Sequence, residues 1–114
     1  RATITVGPTD VLTTAHNRLR NAGFSQLPVM EEGQLVGVVT EDAMIQFVYG
    51  KPELMNANVE DAMESAFIKL DKKESLNNLV AMLRVQPYAA VMDGDYFVGL
   101  ITRSDVLNYL RREM

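Results

Sequence analysis

"GVVTEDAM" occupies residues 37–44 and "GLITRSDV" occupies residues 99–106. Both run glycine, two branched apolar residues and threonine, then polar residues that open an apolar-periodic stretch. The phrase closes a longer repetition. With Thr40 laid on Thr102, an offset of 62, Gly37 falls on Gly99, Val36 on Val98, Leu35 on Phe97, Met30 on Met92 and Val29 on Val91. Upstream the offset is 64: Ile4 falls on Ile68, Val6 on Leu70, Leu12 on Leu76, Ala15 on Leu79 and Leu19 on Leu83. The second copy lacks two residues where "RNAGFSQLPVM" becomes "RVQPYAAVM". An internal repeat of this size governs the fold, so it is read before anything else.

Each copy predicts the same elements. A short strand comes first, 3–6 or 67–70. A turn at Pro8 or Asp71 leads to an amphipathic helix, with Leu12, Ala15 and Leu19, or Leu76, Leu79, Val80 and Leu83, on one face. A hairpin follows, turning at Glu32-Gly33 or Gly94-Asp95. A second helix, 41–49 or 103–112, points Met44, Phe47 and Val48, or Val106, Leu107 and Leu110, inward. Gly50 and Pro52 stop the first of these helices. The expected fold class is α/β (α+β): two β-α-β-β-α repeats packed sheet-to-sheet about a pseudo-twofold axis. Repeat 1 covers 1–50, a linker with one short helix in "NVEDAMES" covers 51–65, and repeat 2 covers 66–114.

Composition narrows the function. Of 114 residues, 47% are apolar, enough for a core, and no apolar run nears the roughly 18–20 residues that span a bilayer. The net charge of −4 carries no basic stripe, which argues against nucleic acid. There is no cysteine, so disulfides and thiol chemistry are excluded. His16 is the lone histidine, and no Ser-His-acid or paired-His pattern exists, so catalysis within these residues is not expected. No secretory leader is visible. The expectation is a cytoplasmic piece of a longer protein.

Thr102 and Asp105 carry the most specific signal. Thr-x-x-Asp at a strand-to-helix junction is a helix-capping pattern. It also suits a ligand: the helix start offers free N–H groups and a positive dipole end, and a carboxylate one turn in can accept from both hydroxyls of a ribose. In the first copy Ala43 stands where Asp105 stands in the second, and Asp42 lies about 100° around the helix. One competent cleft and one degenerate cleft are expected, with Pro87 and Tyr88 narrowing the latter.

A repeated β-α-β-β-α unit closed by apolar-Gly-apolar-apolar-Thr-x-x-Asp resembles the CBS domain, which occurs in tandem as a regulatory pair, the Bateman module. "TVGPTDVL", "GFSQLPVM", "VGVVT", "VEDAM" and "VGLITRSDVL" stand where that family has its motifs, so the resemblance covers nearly the whole chain. Within it, "GFSQLPVM" and "VGLITRSDVLNYL" look most like the regulatory region of cystathionine β-synthase, which binds S-adenosylmethionine and controls a pyridoxal-phosphate enzyme. Other members bind AMP, ADP or ATP. The resemblance implies that Thr102 contacts the ligand's polar tail and that Asp105 holds the ribose. Val98, Leu100 and Ser104 border the adenosyl group, Phe24 and Gln26 reach the cleft from the other repeat, and Ile4 lies near the base. Neutral Gln26 and the negative net charge lean towards S-adenosylmethionine, although Arg103 can neutralise a phosphate. The implied partners are a small adenosyl ligand, a tethered or partner catalytic domain and a second copy, as a homodimer; no cofactor is required. A ligand-free dimerisation module, using Phe47, Val48, Tyr109 and Leu110, is the alternative.

Overall fold

Backbone pairing divides the chain in two. The computed structural model describes residues 4–113, and these fall into two compact units, one ending at Ala66 and one starting at Phe67.

In the first unit, α1 (Leu12–Ala22) buries Leu12, Ala15 and Leu19 completely. Their spacing puts them on one face. Thr13, Thr14, His16 and Asn17 are indifferent helix formers, so burial of that face, about 1.5–3 kcal/mol per large side chain, holds the helix. It ends at Gly23, whose φ of 69° is the left-handed conformation that glycine adopts without strain. β1 (Gln26–Glu31) and β2 (Gln34–Thr40) then form an antiparallel hairpin. Glu32 and Gly33 both have positive φ, 50° and 78°, the signature of a type I′ turn. α2 (Glu41–Val48) follows without a loop. Val6, Leu12, Ala15, Leu19, Leu27, Val29, Val39, Met44 and Val59 form one buried cluster.

The strand expected at 3–6 is shorter than its apolar pattern. Thr3 lies outside the described residues, and among those described the pairing is a single parallel bridge, Val6 to Val29. The Gly7 N–H donates to Asp10 Oδ2 at 2.8 Å, so the chain turns away immediately.

Residues 51–65, read as a linker, belong to the first unit, which runs on to Ala66. Two 3-10 turns, Pro52–Asn56 and Val59–Asp61, replace the expected short helix. The Leu12 N–H donates to Ala57 O at 3.0 Å and the Val59 N–H to Asp10 O at 2.8 Å. Val59 is fully buried, and Glu64 pairs antiparallel with Val38.

In the second unit, β3 (Lys69–Asp71) runs parallel to β4 (Tyr88–Asp93), which pairs antiparallel with β5 (Tyr96–Thr102), in the order β3-β4-β5. α3 (Leu76–Val85) starts at Ser75, whose Oγ accepts from the Asn78 N–H. α4 (Arg103–Glu113) starts where β5 ends. The register shifts between Val91 and Met92, leaving Val98 as the bulged residue; the shift between Val29 and Met30 leaves Val36 in the same role. The repeat thus extends to a backbone irregularity.

Inward-facing residues are fewer here than the periodicity predicts. Leu70, Leu83, Tyr88, Ala89 and Ala90 are buried, and Val106 lies at the border. Leu107 is 66% exposed, and Leu76 and Leu110 are also exposed. Met44 and Val106, the matching positions of α2 and α4, both face inward, while Ile45 and Leu107, 100° further round, both face out. Phe47 and Val48 are half-buried because the Pro52–Asn56 turn packs on α2. Their counterparts Tyr109 and Leu110 have no such cover among the described residues. Among those residues no helix is long and apolar enough to cross a membrane.

Candidate functional site

Two strand-to-helix junctions built on one plan differ in chemistry. At the first, Thr40 has extended backbone and its Oγ1 accepts from the Ala43 N–H at 2.9 Å. The Glu41 N–H donates to Ser25 O at 2.9 Å. Thr40 is only 8% exposed, so its hydroxyl is buried and already committed. Ala43 offers no acceptor.

At the second junction the Asp105 carboxylate accepts twice through Oδ2, from the Thr102 N–H at 2.8 Å and the Thr102 hydroxyl at 3.0 Å. The Asp105 N–H donates back to Thr102 Oγ1 at 3.2 Å. This is a reciprocal capping box. Thr102 is half-buried and Asp105 exposed. Oδ1 takes part in none of these bonds, so the box leaves a fixed, accessible carboxylate oxygen at the positive end of α4. Capping and ligand contact are compatible here: one oxygen orients the group and the other remains available to a donor.

The surroundings come from β5 and the start of α4. Leu100 and Thr102 share a face of β5, since side chains alternate along a strand. Val98 is the exposed bulge residue, and Ser104 is exposed in the first turn of α4. Val98, Leu100, Thr102, Ser104 and Asp105 thus gather along one strand end and one helix start. Arg103 points elsewhere than expected of a phosphate clamp: its Nε donates to Leu83 O at 2.6 Å, tying α4 to the end of α3.

The remaining expected residues lie in the first unit. The Phe24 N–H donates to Leu19 O beyond the Gly23 turn, and Phe24 is 40% exposed. Gln26 is half-buried and pairs in register with Thr40. Ile4 is partly exposed ahead of the Val6 bridge. In the second unit the position paired with the junction threonine is Tyr88, which is buried. The sequence shows this exchange once the hairpins are aligned, since Gln26 and Tyr88 share the offset of 62. The Arg103–Leu83 contact has no comparable sequence signal. Among the described residues no group of three or more His, Asp or Glu side chains could hold a metal ion.

The family model of the CBS domain matches twice, over residues 1–50 and 59–112. The chain belongs to the CBS-domain family. It is a tandem CBS pair, and such pairs are regulatory rather than catalytic modules. It is 26% identical over 115 residues to a cystathionine β-synthase of Dictyostelium discoideum, covering 96% of this chain and 23% of that protein. It is 26% identical over 129 residues to the cystathionine β-synthase of Saccharomyces cerevisiae, covering 94% of this chain and 25% of that protein. The CBS pair therefore spans about a quarter of the length of these relatives. Among solved structures, protein MJ1225 of Methanocaldococcus jannaschii, described as a candidate archaeal homolog of g-AMPK, matches with a TM-score of 0.87 at 25% identity, covering 96% of this chain and 45% of that one. A protein with CBS domains from Burkholderia ambifaria shares the fold, with a TM-score of 0.89 at 21% identity, covering 100% of this chain and 86% of that one.

Proposed function

We propose that this CBS pair is a cytoplasmic sensor of an adenosyl compound, bound at the Thr102–Asp105 junction, that controls a tethered enzyme. The observation that carries this reading is the difference between the junctions: an exposed, hydrogen-bond-oriented carboxylate at one, a buried threonine beside an alanine at the other. In the proposed complex Asp105 accepts from the ribose hydroxyls, and Thr102 and Ser104 meet the polar tail. Val98, Leu100, Ile4 and Phe24 enclose the base, and Gln26 supplies a neutral donor and acceptor. The ligand is S-adenosylmethionine, whose sulfonium suits an acidic chain. The enzyme is a pyridoxal-phosphate enzyme of the cystathionine β-synthase kind, in keeping with the relatives of that name. The chain itself needs no cofactor. An adenine nucleotide (AMP, ADP or ATP) is the second reading, favoured by the likeness to MJ1225.

Regulation follows from differential affinity. A ligand that prefers one packing of the module over another shifts that equilibrium by the difference in its binding free energies. The exposed positions Ile45, Tyr49 and Leu107 supply the contact for a homodimer in this scheme. Calorimetric titration with S-adenosylmethionine, AMP and ATP tests the reading: one site per chain is expected, lost in Asp105→Ala and kept in Ala43→Ser. Heat from none of the three with folded protein refutes it. Undiminished affinity in Asp105→Ala refutes the site.

A further inference from the structure

The first helices of the two repeats match, but they end differently. In repeat 1 the Phe24 N–H donates to Leu19 O at 3.0 Å, so the backbone that follows α1 closes a carbonyl near its end. Leu83 matches Leu19 at the offset of 64. In a continuing helix Leu83 O would accept from the N–H four residues on. That position is Pro87, which has no N–H. The Gln86 N–H reaches back to Met82 O, and the Gln86 backbone is already extended.

Arg103 supplies a donor from 20 residues away: its Nε donates to Leu83 O at 2.6 Å. The cation also meets the negative end of the α3 dipole. The counterpart of Arg103 in repeat 1 is Glu41, whose carboxylate cannot donate. Arg103 directly follows Thr102 and stands two residues before Asp105, so its side chain leaves α4 roughly 200° around the helix from the carboxylate. One short segment thus holds the capping box on one side and α3 on the other. Packing does little to fix that segment: among the described residues of α4, Val106 alone is near full burial.

We propose that Arg103 is a positioning residue of the candidate site: standing in for the backbone donor that Pro87 lacks, it ties the start of α4 to the end of α3 and so sets where the Asp105 carboxylate stands. Resting on the adenosyl reading of that junction, this role also bears on selectivity. A guanidinium engaged with Leu83 O, on the opposite side of α4 from Asp105, is not the counter-charge for a phosphate. Loss of its tether therefore weakens a nucleoside and a nucleotide alike.

Two substitutions separate tether from clamp. Glutamine carries Nε2 the same number of bonds from Cα as arginine carries Nε, so Arg103→Gln keeps a donor and loses the charge. Arg103→Met fills similar space with neither. In calorimetric titrations with adenosine and with AMP, Arg103→Gln should bind both within about threefold of the parent, and Arg103→Met should lose about tenfold or more on both. Parent-like affinity in Arg103→Met overturns the proposal, as do equal losses in the two variants. A loss confined to AMP in Arg103→Gln also overturns it and makes Arg103 a phosphate clamp. Amide exchange followed by NMR without ligand gives the second readout. The Thr102 and Asp105 amides, both bonded within the box, should exchange at least about tenfold faster in Arg103→Met and at the parent rate in Arg103→Gln. The Ala90 amide, bonded to Ile68 O, should be unchanged; equal acceleration at all three amides would mean general destabilisation and overturn the positioning role. If neither compound binds the parent, the adenosyl reading fails while exchange still decides the tether. Should Arg103→Met not fold, the labelled parent decides: scalar coupling from the Arg103 Nε–H to the Leu83 carbonyl carbon supports the tether, and its absence overturns it.

Discussion

Gly37 and Gly99 occupy the same place in the two repeats, yet replacing each with alanine has opposite expected effects. At Gly37 the new Cβ meets Met63 Cγ at 2.9 Å and Glu64 O at 3.0 Å, where ordinary contacts lie at 3.4–4 Å. The neighbours must yield by a few tenths of an ångström or more. Met63 can rotate, but Glu64 O is held by the Val38 N–H at 2.9 Å. Overpacking of this kind costs about 1–3 kcal/mol. At Gly99 the Cβ enters open space. Both substitutions restrict the unfolded chain by a similar ~0.4–1 kcal/mol, and that gain cancels in the comparison. Gly37→Ala should therefore lie about 1–3 kcal/mol below Gly99→Ala, and Gly99→Ala should match or slightly exceed the parent. Urea unfolding followed by circular dichroism measures the difference. Amide exchange at Val39 and Ala90, which lie in different units, assigns it to the right one. Equal midpoints for the two variants would show that the Met63–Glu64 segment does not lie against β2 as described.

Three further outcomes follow from the same packing. Asp105→Ala removes the acceptor for the Thr102 N–H and hydroxyl and should lower stability by about 1 kcal/mol, while Asp105→Asn, which keeps an acceptor, should lose less. Equal melting temperatures for the two variants would count against the capping box. Leu19→Ala, in the fully buried face of α1, should cost about 2–5 kcal/mol, whereas Leu110→Ala should stay within about 0.5 kcal/mol; urea midpoints decide. The Lys72 ammonium hydrogen-bonds Asp93 at 2.9 Å, and that bond, with the carboxylate's charge, raises its pKa above the usual 10.5. A raised folded-state pKa means that its stabilising contribution is complete below pH 10.5 and is lost as the pH climbs through the shifted value. An NMR titration should show the Lys72 midpoint falling back towards 10.5 in Asp93→Asn, and an unchanged midpoint would count against the pair.

The legible part of this protein was its local part. Helix α1, both hairpins and both junctions follow from apolar spacing, from glycine at left-handed turn positions and from threonine before a helix, all of which act within a few residues. The asymmetry of the candidate site was legible for the same reason, since Ala43 against Asp105 is a difference in composition at matched positions. Burial was less so. Apolar periodicity named the faces of α2 and α4 alike, but among the described residues the Pro52–Asn56 turn packs on α2 and nothing comparable covers α4, which leaves Tyr109 and Leu110 exposed.

Sequence alone determined that the unit is written twice, and that its second junction keeps the carboxylate the first lacks. Tertiary structure decided which stretches lie over which. Residues 51–66 carry little periodicity, and their place on the first unit rests on Val59 filling its core and Glu64 bonding to Val38 across a separation of 26 residues. Backbone bonds and apolar contacts between residues so far apart leave no local pattern, because either end could pair with many partners of similar chemistry until the whole chain closes.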